Sequence, residues 1–194
     1  FQNYNFFSYK DEKYKMNGRH EAYNLSACIA VLSILGLSLD EIIHGFSKRS
    51  HLSHRLERFC TYNGVTYIND SKSTNLDSTF NALESVGENI VLIMGGDNKK
   101  ISYNALKNII NNKVKLLILI GENREYVNNQ LSVNIDTILF ETLKDATDYI
   151  FSNLKSNCTV LLSPGSSSFS LYKDFEHRGN HFKTLVSNYV HGKN

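Results

Sequence analysis

The chain has 194 residues, of which 41% are hydrophobic and 21% charged, so it is long enough for one domain of usual size plus part of another. A net charge of +2 with dispersed basic residues does not indicate a nucleic-acid-binding surface. Three cysteines at wide spacing indicate neither a disulfide framework nor a zinc ribbon, and no apolar run approaches the roughly 18 residues of a membrane span. We therefore expect a soluble protein of a reducing cytoplasm, with no nucleic-acid or membrane partner.

The first part of the chain contains two predicted helices. Apolar residues recur at helical spacing from Glu21 to Leu35, and a shorter helix is predicted from Asp40 to Phe46. The stretch that follows is polar and unperiodic as far as His54, which is typical of a hinge. We place a domain boundary near residue 50, which divides the chain into residues 1–50 and 51–194.

Strands and helices alternate after this boundary. A hairpin turn at Gly64 is predicted to join a strand from Arg58 to Asn63 to one from Val65 to Asn69. The later predicted strands are apolar without polar alternation, as in strands buried on both faces: 90–94, 116–120, 138–140 and 160–162. The predicted helices are 74–84, 103–111, 124–130, 143–153 and 174–189. This alternation predicts an α/β fold with a doubly wound, mainly parallel sheet.

Three polar loops, at residues 69–75, 95–100 and 163–168, directly follow predicted strands. Ligands of open parallel sheets bind beyond the carboxyl ends of the strands, so these loops are candidate binding elements. The first loop combines an acid, a lysine and three hydroxyls, which suits an anionic ligand, although helix capping explains the same residues equally well. The other two loops also have ordinary interpretations, as a solvated glycine turn and as a serine helix cap.

Other motifs are weaker or missing. Arg55 lies at the suspected hinge, where it would reach a phosphate bound by a preceding domain or simply contact Glu57. His177 and His181 have the i,i+4 spacing seen in zinc sites, but no third ligand is apparent, so we predict no metal site. Neither a P-loop, nor a dinucleotide-binding glycine motif, nor a nucleophile elbow occurs. If ATP is used, another segment must hold its phosphates.

Taken together, several segments resemble the Mur ligases. They are HRLE at 54–57, NDSKSTNLDSTFNAL at 69–83, GGDNKK at 95–100 and SPGSSSFSLYKDFEHRGNHF at 163–182. Upstream, NGRHEAYN at 17–24 resembles the part of the central domain that ends in an asparagine near the adenine. The NDSK-x-TN element resembles the members that add D-glutamate to UDP-N-acetylmuramoyl-L-alanine, since other members carry a Tyr-Ala-His type motif there.

The resemblance implies an ATP- and Mg²⁺-dependent amide-forming ligase of peptidoglycan precursor synthesis, monomeric and located in the bacterial cytoplasm. Such enzymes have a UDP-binding domain, a central P-loop ATPase domain and a C-terminal Rossmann-like domain that brings the amino acid. Residues 1–50 would be the remnant of the central domain, and residues 51–194 the whole third domain. The chain starts with Phe1 in an unpatterned stretch, so we expect a fragment. We expect it to be inactive alone, because phosphate binding and acyl activation would require the other domains.

The resemblance also implies roles for individual residues on the amino-acid side. Lys99, Thr74 and Ser168 would hold the two carboxylates of D-glutamate, while Phe175 and the backbone near Phe169 would shape the pocket. A cation with hydroxyl and amide donors suits a dianionic substrate.

On the ATP side, the resemblance implies that Arg55 reaches the γ-phosphate and that Lys72 lies near the phosphoryl group in transfer. Asn24 would contact the adenine and Asp70 the ribose. Arg178 matches a family arginine to which we assign no role.

Two alternatives remain open. Another amide ligase of the same superfamily, of the folylpoly-γ-glutamate synthetase type, would also add glutamate, although the NDSKSTN element argues against it. A non-catalytic binding module with the same fold is the second alternative. An intact P-loop in the complete reading frame would exclude the binding module.

Overall fold

The structure is a computed structural model that describes residues 19–48, 52–97, 101–154 and 157–192. The chain divides into two compact units, Phe1–His51 and Leu52–Asn194. The assignment of the first unit to a central ATPase domain stays a prediction. No helix of the described residues is long and apolar enough to cross a membrane.

The first unit contains the two helices predicted from periodicity. Helix α1 spans Arg19–Ile34 and helix α2 spans Leu39–Ser47. A capping box starts α2, because the amide of Glu41 donates to Ser38 Oγ and the amide of Ser38 donates to the Glu41 carboxylate. This reciprocal capping explains why the helix begins at Leu39, one residue before the predicted start.

The second unit is built on one six-stranded sheet. Its strands are β1 (Glu57–Tyr62), β2 (Val65–Asn69), β3 (Ile90–Gly96), β4 (Val114–Gly121), β5 (Asp136–Phe140) and β6 (Cys158–Leu162). The spatial order is β1-β2-β6-β3-β4-β5. Strands β1 and β2 form the predicted antiparallel hairpin, and all other neighbours are parallel.

Five helices cover the two faces of this sheet, as the doubly wound prediction requires. They are α3 (Leu76–Ser85), α4 (Asn104–Lys113), α5 (Arg124–Leu131), α6 (Leu143–Asn153) and α7 (Phe175–Val190). Side chains of α3, α4 and α5 pack in one core cluster, and those of α6 and α7 in the other. The predicted α/β fold is therefore confirmed.

The central strand β3 explains the absence of polar alternation in the sequence. Leu92 and Met94 belong to one core cluster, Val91 and Ile93 to the other, and all four are fully buried. Each such side chain stabilises the fold by about 1.5–3 kcal/mol through burial, so both faces must stay apolar.

Candidate functional site

The described parts of the three polar loops meet at one edge of the sheet, because β2, β6 and β3 are parallel neighbours that end there. Backbone hydrogen bonds join the loops directly. The amide of Gly95 donates to Pro164 O at 2.9 Å, and the amide of Gly165 donates to Ser73 O at 2.9 Å. The predicted convergence of polar groups at the carboxyl ends of the strands is thus found.

Asp70 organises this edge from inside. Its side chain is 5% exposed, and the carboxylate accepts hydrogen bonds from the Leu56 amide, Ser73 Oγ and Ser163 Oγ. Burial raises the pKa of Asp70 to about 6, although these hydrogen bonds and the charge of Arg55 act in the opposite direction. Because both carboxylate oxygens already have partners, the structure supports a loop-organising role, and the contact with a ribose stays a prediction.

Arg178 clamps two of the loops together. Its guanidinium is 1% exposed and donates to Ser71 Oγ and Ser71 O, both at 2.9 Å, and to the carbonyls of Ser166 and Ser167 at 3.0 and 3.3 Å. Burial lowers its pKa to about 10. No ion pair joins Arg178 to a carboxylate of the described residues, although the charge of Asp97 acts against the lowering of its pKa.

Arg55 is presented by a short, tightly held segment. The residues on both sides of it, His54 and Leu56, have left-handed φ values of 64° and 43°, which cost energy in non-glycine residues. Two hydrogen bonds hold this conformation: Lys72 N donates to His54 O at 3.0 Å, and Leu56 N donates to the Asp70 carboxylate at 3.1 Å. The Arg55 side chain itself is exposed.

Glu57 does not pair with Arg55. Its carboxylate instead accepts from Lys183 Nζ at 2.9 Å, from Asn69 Nδ2 at 3.1 Å and from the His54 amide at 2.9 Å. The alternative in which Arg55 simply contacts Glu57 is therefore wrong.

Arg55 and Lys72 share a pocket of about 520 Å³. The ammonium of Lys72 lies 3.8 Å from the ring centroid of Phe175, a cation–π contact. Neither Arg55 nor Lys72 forms an ion pair with any residue in the described ranges. Two cations in one pocket that form no ion pair within the described ranges suit a phosphate or another polyanion.

The same pocket contains residues that sequence reasoning missed. Glu176, Asn180 and Lys183 line it from α7, where their i, i+4 and i+7 spacing places them on one helix face. That spacing was visible in the sequence, but nothing showed which loop the face would meet.

Among the residues expected to bind the amino acid, Ser168 is 4% exposed, and its hydroxyl forms no hydrogen bond within the described parts of the chain. The side chain of Thr74 is half-buried. The ring of Phe169 is 74% exposed, and its amide donates to the Asp97 carboxylate at 2.9 Å. The backbone near Phe169 is thus held by Asp97.

The expected contacts of Lys99 with D-glutamate and of Asn24 with adenine stay predictions. Lys99 lies in residues 98–100, outside the described residues. Asn24 is exposed on α1 in the first unit.

The paired histidines of α7 have other partners. His181 Nδ1 lies 2.9 Å from the Tyr172 hydroxyl, and His177 Nδ1 accepts from the Lys173 amide at 3.3 Å. Across the described residues, no group of three or more His, Cys, Asp or Glu side chains could hold a metal ion.

Comparison with known proteins identifies the family of the chain. Residues 54–165 match the family described as "Mur ligase, glutamate ligase domain". Because this match covers more than half of the chain, the chain belongs to the Mur ligase family, as the motifs indicated.

Two similar proteins carry the name UDP-N-acetylmuramoylalanine–D-glutamate ligase. The relative from Bdellovibrio bacteriovorus is 36% identical over 172 residues, which covers 89% of this chain and 37% of the relative. The relative from Chlorobium limicola is 37% identical over 174 residues, which covers 90% and 37%. The chain therefore spans less than two fifths of the length of these relatives.

Among solved structures, the fold is similar to that of UDP-N-acetylmuramate-alanine ligase from Thermotoga maritima. The TM-score is 0.66 with 16% identity, and the match covers 89% of this chain and 39% of that chain. This similarity supports the fold alone.

Proposed function

We propose that the chain binds the incoming amino acid for an ATP-dependent amide-forming ligase. In this proposal the amino acid is D-glutamate and the acceptor is UDP-N-acetylmuramoyl-L-alanine, in peptidoglycan precursor synthesis in the bacterial cytoplasm. The names of relatives at 36 and 37% identity support these substrates. The remaining machinery, including a P-loop, would belong to other parts of the complete protein.

One observation carries the proposal: Arg55 and Lys72 line one pocket, on loops held by internal hydrogen bonds, and neither forms an ion pair with a described residue. The proposed reaction transfers the γ-phosphoryl group of ATP to the alanyl carboxylate and releases ADP. The amine of D-glutamate then attacks the acyl phosphate, loses a proton, and phosphate leaves. Negative charge on phosphate oxygens is present throughout, and preorganised cations stabilise it without reorganisation.

ATP would supply the phosphoryl group, and Mg²⁺ would neutralise part of its charge. The described residues fit the phosphates better than the metal. Arg55 and Lys72 are cations, and both oxygens of Asp70 are engaged by internal hydrogen bonds. We therefore assign phosphate contacts to Arg55 and Lys72 and no metal ligand to this site.

The hydroxyls of Ser168 and Thr74, with Lys99, would bind the carboxylates of D-glutamate. The buried hydroxyl of Ser168 has no hydrogen-bond partner among the described residues, and a buried hydroxyl costs free energy unless a partner or a ligand satisfies it. Binding of a carboxylate would remove this cost.

The test is an assay of the protein encoded by the complete reading frame that contains this chain. ADP release should depend on both UDP-N-acetylmuramoyl-L-alanine and D-glutamate, with other amino acids and folate-type acceptors inactive. Turnover with a folate acceptor and L-glutamate would favour the folylpolyglutamate type instead. The 194-residue chain alone should release no ADP, and turnover by it would contradict the division of labour proposed here.

A further inference from the structure

Asn123 lies between β4 and α5, at the position where asparagine usually caps a helix. Its side chain is 1% exposed and makes no capping hydrogen bond to α5. An asparagine cap stabilises a helix by about 1 kcal/mol. Because the side-chain amide is buried and does not cap the helix, it needs hydrogen-bond partners elsewhere.

Those partners come from three other segments. The Oδ1 atom of Asn123 accepts from the Gly96 amide at 3.0 Å, while Nδ2 donates to Tyr103 Oη and to Ser166 Oγ, both at 3.1 Å. Tyr103 and Ser166 are fully buried. Asn123 therefore uses both donors and one acceptor to join the end of β3 to the loop that follows β6.

Gly95 and Gly96, the last two residues of β3, are confined by the backbone on either side of the strand. A Cβ atom at Gly95 would lie 2.2 Å from Ile120 O, and one at Gly96 would lie 2.3 Å from Ser167 O. Their φ values of 111° and 151° also exclude other residues. Only glycine fits, and the direction in which the chain leaves β3 is fixed.

This direction determines the amino-acid side of the site. Asp97 directly follows β3. Its amide donates to Ser167 O at 3.1 Å, and its carboxylate accepts from the amides of Phe169 and Ser170. Asn123 thus holds the end of β3, together with Asp97, against the segment that carries Ser168.

We infer that Asn123 is a positioning residue that sets the amino-acid pocket without touching the amino acid. This inference rests on the proposed function. The phosphate side is held by a different set of contacts, around His54, Asp70 and Lys72. Loss of the Asn123 contacts should therefore affect the amino acid more than ATP.

The kinetic test compares Asn123→Leu, which removes donors and acceptor, with Asn123→Asp, which keeps an acceptor for Gly96. The matched control is Asn129→Leu, because Asn129 is exposed on α5. In the complete enzyme, Asn123→Leu should raise the KM for D-glutamate about tenfold, Asn123→Asp less, and the control should not change it. The KM for ATP should stay within about twofold. An unchanged KM for D-glutamate, or an equal rise of both KM values, would overturn the inference.

Single-partner variants cover the case in which Asn123→Leu does not fold. Ser166→Ala and Tyr103→Phe each remove one partner of Nδ2, and each should raise the KM for D-glutamate about threefold with the KM for ATP unchanged. No rise in either variant would overturn the inference.

Amide hydrogen exchange of the 194-residue chain separates this inference from the proposed function. The Gly96 amide should exchange faster in Asn123→Leu than in the parent chain and stay protected in Asn123→Asp. Equal protection in the Leu variant would refute the positioning role, whatever the ligase assay shows. Faster exchange together with no ligation of D-glutamate by the complete protein would reject the proposed function alone.

Discussion

His54 Nδ1 lies 2.9 Å from Asn69 Nδ2 in a buried contact that holds the segment carrying Arg55. The orientation of the Asn69 side-chain amide is set by its oxygen Oδ1, which accepts from the Ser71 amide at 3.2 Å. Nδ2 is therefore the donor, and His54 Nδ1 accepts. Helix α7 approaches this pair so closely that a Cβ atom at Gly179 would lie 2.2 Å from His54 Nδ1.

The substitution Gly179→Ala should consequently destabilise the protein. Alanine favours a helix over glycine by about 1 kcal/mol, but overpacking of a buried site costs roughly 1–3 kcal/mol and a lost hydrogen bond about 1 more. The free energy of unfolding in urea should fall by about 1–3 kcal/mol. Gly87→Ala is the control, since a Cβ atom there meets nothing within 4 Å. Equal stability of the two variants would show that α7 can move away.

Loss of the positive charge at Lys72 should impair the phosphate side. Lys72→Met keeps an unbranched side chain on the Phe175 ring but removes the charge. In the complete enzyme, kcat/KM for ATP should fall about 10- to 100-fold, because a charge-assisted contact is lost. Lys173→Ala is the control, as Lys173 is exposed. If both variants keep full activity, Lys72 is only a packing partner of Phe175.

Lys99→Ala should raise the KM for D-glutamate by about tenfold or more, through loss of a charge-assisted contact with a carboxylate. Lys100→Ala removes a neighbouring charge and serves as its control. Steady-state kinetics with D-glutamate as the varied substrate measures both. An unchanged KM in Lys99→Ala would return Lys99 to the interpretation as a solvated turn residue.

Asp70 should make stability depend on pH in the acidic range. Its pKa is raised to about 6 by burial, above the value of roughly 3.9 for an unfolded chain. The folded state therefore binds the proton more tightly, and this contribution to stability is complete below about pH 4 and lost as the pH rises through about 6.

Asp70→Asn removes this titration while keeping the size of the side chain. The unfolding free energy of the parent chain minus that of Asp70→Asn should fall by about 2–3 kcal/mol from pH 4 to pH 7. Urea unfolding at both pH values measures it. If this value instead rises with pH, the hydrogen bonds from Ser73 and Ser163 lower the pKa of Asp70 by more than burial raises it.

The fold and the site edge were predictable because their signals are local. Apolar runs without alternation predicted buried parallel strands, and three polar loops after strands predicted one common edge. Helix ends were less accurate, since side-chain caps decide them. For example, Asn75 accepts from the Ser78 amide at 2.9 Å, and α3 begins at Leu76 rather than at the predicted Thr74.

The partners that define the site are distant in sequence and were not predictable. Asp70 followed by serines indicates a solvated cap or a ligand, and nothing nearby shows that Ser163, 93 residues away, donates to its carboxylate. Likewise, the ion pair of Glu57 with Lys183 joins residues 126 apart. Local sequence patterns do not encode such long-range contacts, so the internal hydrogen-bond partners of Asp70 could not be predicted.

The position of β6 between β2 and β3 has a consequence for synthesis of the protein on the ribosome. Although β6 is the last strand in the sequence, β2 and β3 each pair with it and not with each other. Until Cys158–Leu162 emerges, both earlier strands have an open edge, which is the surface on which unfinished chains aggregate. The pocket can therefore form only when translation of the unit is nearly complete.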